Sequence, residues 1–146
     1  MESQKKHPKV YSFEFFPPKT EKGVANLRNT REQLASLGPR FFSVTFGAGG
    51  STRERTFDTV REIQRESGIE ASPHLSCIGS TKANIRDILN LYRNENINHI
   101  VALRGDLPSG MGLPGEFRYA NELVEFIRAE TGDHFHIEVA AYPEFH

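Results

Sequence analysis

Short apolar runs alternate along the chain with segments whose apolar residues recur three and four positions apart. The runs are VYSFEFF (10–16), RFFSVTF (40–46), ASPHLSCI (71–78), HIVALR (99–104) and FHIEVAAY (135–142), each of strand length. Between the first two, Val24, Leu27, Leu34 and Leu37 share one helical face, which Gly38-Pro39 closes. Phe57, Val60 and Ile63 predict a second helix, with Ser51 and Glu54 as its capping box. Ile85, Ile88, Leu89 and Tyr92 predict a third, capped by Thr81. Ala120, Leu123, Val124 and Ile127 predict a fourth, stopped by Gly132. Strand then helix at a period of roughly 30 residues is the signature of right-handed βαβ units building a parallel sheet. An eight-unit barrel of about 250 residues averages about 31 per unit. The pattern therefore predicts an α/β chain of the (β/α)8 barrel type, with five strands and four helices, as a single incomplete barrel domain over 1–146.

Alternation within the strands adds a second layer. Ser12 and Glu14, Ser43 and Thr45, Ser72, His74 and Ser76, Arg104, and His136, Glu138 and Tyr142 are assigned to one parity. Phe13, Phe15, Phe42, Val44, Ile137 and Val139 occupy the other. In a barrel one parity looks inward and the other meets the helices. A polar inner parity on five strands suits a binding site better than a set of satisfied interior hydrogen bonds.

Composition narrows the class. The 146 residues are 37% hydrophobic and 25% charged, with a formal net charge of −1, as expected of a globular protein with no electrostatic pull toward nucleic acid or an anionic membrane. The start MESQKKHPKV is polar, so residues 1–9 are expected to form a flexible N-terminus without a secretory signal, and no run is long enough to span a membrane. A cytoplasmic location follows as the expectation. A lone cysteine, Cys77, allows no intrachain disulfide and reads as a small buried residue rather than a nucleophile.

Candidate chemistry clusters near strand ends. Glu14, between phenylalanines, needs a cationic partner or takes a raised pKa that would make it a general acid. The glycine-rich TFGAGGSTRERT (45–56) precedes a helix N-terminus, where backbone N–H groups can hold an anion, but it matches no nucleotide fingerprint and reads equally as a tight turn. His74 reads as a hydrogen-bonding residue toward a ligand or a core partner. The His and acidic residues show no metal-ligand spacing, so no metal site is expected. Arg104, at the end of the fourth strand, offers a rigid donor fork for phosphate or carboxylate, and Asp106 either neutralises it or accepts from a heterocycle. The tripeptide Arg104-Gly105-Asp106 also spells an adhesion ligand, a reading that requires secretion and is set aside. LPSGMGLPGEF (107–117) is long and rich in glycine and proline, which fits an active-site loop and fits mere flexibility almost as well.

SFEFFPPKT, FFSVTFGAGGSTRERT, PHLSC, HIVALRGD, RYANELVEFIR and VAAYPEFH, in that order, resemble the N-terminal part of the bacterial methylenetetrahydrofolate reductases. The resemblance implies a (β/α)8 barrel with FAD at the C-terminal ends of its strands, and reduction of 5,10-methylenetetrahydrofolate to 5-methyltetrahydrofolate with NADH or NADPH. It implies that Glu14 is the general acid that assists opening of the folate's five-membered ring. Thr45 and Phe46 fall where the family contacts nicotinamide and flavin. His74, Arg104, Gly105, Asp106, Tyr119, Ala120, Tyr142 and His146 match flavin-binding positions. Asp106 would lie beside both flavin and folate and tune hydride donation. A folate substrate, a ping-pong order of binding and a homo-oligomeric parent follow from the same resemblance. The family barrel has three strands beyond the fifth. The expectation for this chain alone is accordingly loss of reductase activity and self-association through open sheet edges, as a noncatalytic half-barrel, or origin as a piece of a longer parent.

Overall fold

A computed structural model describes residue 6 and residues 8–46, 50–106 and 115–141, with 51 and 52 described for their backbone only. Five strands and four helices alternate: β1 (Phe13–Phe15), α1 (Glu21–Ala35), β2 (Phe42–Val44), α2 (Gly50–Ser67), β3 (Ala71–Ser76), α3 (Lys82–Asn94), β4 (His99–Leu103), α4 (Ala120–Thr131) and β5 (His136–Val139). The strands form one parallel sheet in the order β1-β2-β3-β4-β5, the arrangement that successive βαβ units of a barrel wall produce.

Register follows the side-chain alternation. Glu14 is level with Ser43, and Ser43 with Ser72, so these three residues share a face. His74 is level with Val101, and Val101 with Glu138. The same pairing puts Leu103, not Arg104, level with Ser76, which corrects the parity assigned to Arg104: β4 contributes His99, Val101 and Leu103 to the polar face, and Arg104 follows the strand's end. The opposite face carries Phe42, Val44, Leu75, Ile100 and Ala102, all at 0% exposure. Val60 and Ile63 of α2, Ile85, Leu89 and Tyr92 of α3, and Leu123 and Ile127 of α4 join them in one continuous core. Each such aliphatic side chain contributes roughly 1.5–3 kcal/mol on burial.

Caps explain three of the helix ends. The Thr20 side chain accepts from Gly23 N–H at 3.1 Å at the start of α1. Thr81 does the same for Asn84 N–H at 3.1 Å at the start of α3, as expected. Gly132 closes α4 with φ 57°, in the region that favours glycine. Two expectations shift. Helix α2 already includes Gly50, so Ser51 lies in its first turn rather than at a cap position. Leu37 falls beyond α1 and is 56% exposed, because the helix ends at Ala35 and Gly38 takes φ 68°.

Candidate functional site at the strand ends

Two groups of the expected residues come together. On the uncovered face, Glu14 Oε2 lies 3.7 Å from His74 Nε2 across the intervening β2. The pair borders an open cavity of about 590 Å³, which Tyr11, Ser43, Leu103 and Glu138 also line. Glu14 is not enclosed by the phenylalanines beside it in sequence: Phe13 and Phe15 turn to the helix side, and the Glu14 side chain is half exposed. Burial pushes the His74 imidazole below its ordinary value, against a smaller opposing pull from the Glu14 carboxylate. His74 is therefore a neutral hydrogen-bonding group at neutral pH. Beside it, the Ser72 hydroxyl is buried and has no hydrogen-bond partner among the described residues.

A second cavity, of about 260 Å³, opens where β4 and β5 end. Leu103, Arg104, Gly105, Asp106, Ala120 and Ala140 are among its lining residues. Its geometry is fixed by the way β3 and β4 finish. Cys77 N–H donates to the Leu103 carbonyl at 3.1 Å and Ile78 N–H to the Arg104 carbonyl at 2.8 Å, while the Ser76 hydroxyl donates to that same Arg104 carbonyl at 2.9 Å. Gly105 then turns with φ 82°, and a Cβ there would sit 1.9 Å from Ser76 Oγ. Only glycine lets the chain pass this close to β3. Arg104 Nε donates to the Gly105 carbonyl at 3.1 Å. Among the described residues no ion pair joins Arg104 to Asp106, whose carboxylate is exposed; the neutralising pair considered from sequence does not form.

Ala120 begins α4, whose N-terminus has Tyr119 at the cap position without a side-chain hydrogen bond. Tyr119 itself is 59% exposed. Glu122, in the first turn, accepts from Arg118 N–H at 2.7 Å. Thr45 follows β2: its N–H donates to the Phe15 carbonyl at 2.9 Å, and its carbonyl accepts from the Thr56 hydroxyl at 2.8 Å. Phe46 packs partly against the core with the Arg53 guanidinium 5.4 Å from its ring centre. Tyr142 and His146 lie outside the described residues, as do the central glycines of the 45–56 stretch and most of the 107–117 loop. Cys77 is buried, with its thiol near the Arg104 and Tyr119 carbonyls, and burial pushes its pKa up. Both facts fit the structural role assigned to it.

Sequence reasoning missed one grouping. His99 and His136, at the starts of β4 and β5, and Glu138, two residues further along β5, bring their ligand atoms within 4.8 Å of one another. The scattered appearance of these residues in sequence concealed it. The signal was available as His-Ile-Glu in β5, where alternate residues share a face, and as a histidine at the matching start of β4.

The whole chain, residues 1–146, matches the family model described as methylenetetrahydrofolate reductase. A 5,10-methylenetetrahydrofolate reductase of Salmonella typhimurium is 49% identical to it over 135 residues, which make up 92% of this chain and 44% of that protein. The Escherichia coli protein of the same name gives the same identity and coverage. An Arabidopsis thaliana protein named methylenetetrahydrofolate reductase (NADH) 1 is 43% identical over 141 residues, 94% of this chain and 24% of that protein. The chain thus spans less than half the length of these relatives.

Proposed function

The chain belongs to the methylenetetrahydrofolate reductase family, and on that premise we propose that it carries the general acid and part of the flavin site for NAD(P)H-dependent reduction of 5,10-methylenetetrahydrofolate to 5-methyltetrahydrofolate. The observation that supports this reading best is the gathering of Arg104, Gly105, Asp106 and Ala120 around one cavity at the C-terminal ends of β4 and β5. That is the end where barrel enzymes place their ligands.

The donor set fits FAD. Arg104 supplies a guanidinium fork and α4 an N-terminus without a side-chain cap, two complementary partners for a pyrophosphate. Gly105 brings the backbone close without side-chain bulk, and Asp106 offers an acceptor to the N–H edge of a heterocycle. His74, neutral and on the inner face, donates or accepts at a ring edge. Thr45, Phe46, Tyr119, Tyr142 and His146 complete the proposed contacts. When bound, FAD supplies hydride transfer from nicotinamide to folate. Asp106 places a negative charge near the reacting ring, and Glu14 gives a proton to a ring nitrogen of the folate to open its five-membered ring. The half-exposed position of Glu14 above the larger cavity leaves it accessible to a substrate. We read the setting as cytoplasmic one-carbon metabolism leading to methionine, with a homo-oligomeric protein; no described helix is long and apolar enough to cross a membrane.

The test separates the two half-reactions in the protein expressed from its whole reading frame. Glu14→Gln is expected to keep reduction of bound flavin by NADH or NADPH and to lose reoxidation by methylenetetrahydrofolate by about 10²-fold or more. Equal loss in both half-reactions would assign Glu14 a structural role instead.

A further inference from the structure

Near the starts of β4 and β5 lies a polar group to which the proposed reductase chemistry gives no role, although its Glu138 also borders the larger cavity beside Glu14. His99 opens β4 and is 3% exposed, and among the described residues its Nε2 makes no hydrogen bond, while its Nδ1 has the Glu70 carboxylate beside it. Leaving buried polar atoms without partners is costly, so such a group asks for an explanation. Its Nε2, itself buried, lies 3.7 Å from Glu138 Oε1. The same carboxylate oxygen is 3.0 Å from His136 Nε2. The ring of His99 is held by Phe41, 4.4 Å between centres, and by the edge of His136, 4.6 Å. Behind it, Glu70 Oε2 stands 3.3 Å from Nδ1.

We propose that His99 Nε2, His136 Nε2 and Glu138 Oε1 form a divalent-metal site of the zinc class, with the Glu70 carboxylate orienting His99. Two imidazoles and one carboxylate are a borderline donor set that suits Zn²⁺ or Co²⁺ better than the hard, all-oxygen preference of Ca²⁺ or Mg²⁺. Tetrahedral ligands about 2 Å from a zinc ion stand about 3.3 Å from one another. The two histidine–carboxylate separations, 3.0 and 3.7 Å, bracket that value, and all three ligand atoms lie within 4.8 Å of one another, so a modest contraction closes the site around an ion. A carboxylate on the far nitrogen of a ligating histidine is the usual device for fixing its tautomer and ring orientation. The three ligands come from two adjacent parallel strands at matched register, His99 level with His136. The ion would accordingly tie β4 to β5 at the end opposite the proposed flavin cavity and leave a fourth position for water. This assignment does not depend on the reductase reading.

The experiment uses the protein expressed from its whole reading frame without a polyhistidine tag, stripped with EDTA and titrated with Co²⁺ while the visible spectrum is recorded. The expected result is a d–d absorption band that saturates at about one ion per chain and is displaced by Zn²⁺. His136→Ala removes an exposed ligand, and Glu138→Gln keeps the side-chain shape; each is expected to weaken Co²⁺ binding more than about a hundredfold while the circular dichroism spectrum stays unchanged. Glu70→Gln, one step removed, is expected to cost about 10- to 100-fold. His134→Ala, an exposed histidine outside the group, is expected to bind as the unaltered protein does. The absence of a saturable band in the unaltered protein, or equal affinity in folded His136→Ala and Glu138→Gln, would overturn the proposal.

Discussion

The two faces of this sheet are built from alternate residues of the same strands, yet they answer to different demands. On the helix side, Phe42, Val44, Leu75, Ile100 and Ala102 are apolar and sealed, and their burial accounts for their presence. On the other side stand Glu14, Ser43, Ser72, His74, His99 and Glu138, of which Ser72 and His99 carry buried polar atoms without a hydrogen bond among the described residues. Packing explains the first face. The second carries polar and ionisable groups that apolar packing does not explain, as expected of a functional surface.

That contrast can be broken by mutation. The largest expected effect is on the helix side: Phe42→Ala empties a site at 0% exposure and should cost about 3–5 kcal/mol in urea unfolding. A loss of similar size from Ser43→Ala, its neighbour on the opposite face, would erase the distinction. Next comes Gly105→Ala, where φ 82° and the approach of Ser76 Oγ combine, with an expected cost of about 1–3 kcal/mol by the same measurement. An unchanged midpoint would mean that the β4 end adapts more readily than its geometry implies. The pH dependence is a smaller effect with a definite sign. Burial holds His74 in the folded chain below the 6.5 of an ordinary histidine, so the unfolded chain takes up the proton first. The contribution of His74 is present above that pH and is lost as pH falls toward the folded value. Urea midpoints at about pH 7.5 and 5.5 should differ less in His74→Gln than in the unaltered protein, and an identical difference would contradict the assignment. Smallest of all, Ser72→Ala removes a hydroxyl without a hydrogen-bond partner among the described residues, so stability should fall by no more than about 0.5 kcal/mol. A larger destabilisation would show that the hydroxyl has a structural partner.

The faces also differ in how legible they were. Alternation in SFEFF and SPHLS was enough to sort Phe13 from Glu14 and Leu75 from His74, since a period of two is a local property of the strand. The order of elements followed from spacing alone, as did the Thr81 cap and the Gly132 stop. Strand lengths did not: β1 and β2 have three residues each, where seven were expected. Apolar residues continue beyond the strands, because such residues also pack in loops. Arg104 was misassigned because parity along one strand does not give its phase relative to the next; only the pairing of Ser76 with Leu103 supplies that. Arg31 was unreadable for a similar reason. It is nearly buried in α1, bonded to Glu66 of α2 at 3.0 Å, a partner 35 residues away that no local pattern announces. The grouping of His99 with His136 and Glu138 likewise depends on register between strands.

The central claim is that the cavity at the ends of β4 and β5 is part of a flavin site organised by Arg104. FAD titration of the protein expressed from its whole reading frame, followed by quenching of flavin fluorescence, tests it most directly. Saturable binding is expected, weakened by about tenfold or more in Arg104→Ala, as befits loss of a charge-assisted contact worth about 1.5–3 kcal/mol. Flavin that fails to bind the unaltered protein, or that binds Arg104→Ala with the same affinity, would contradict the account.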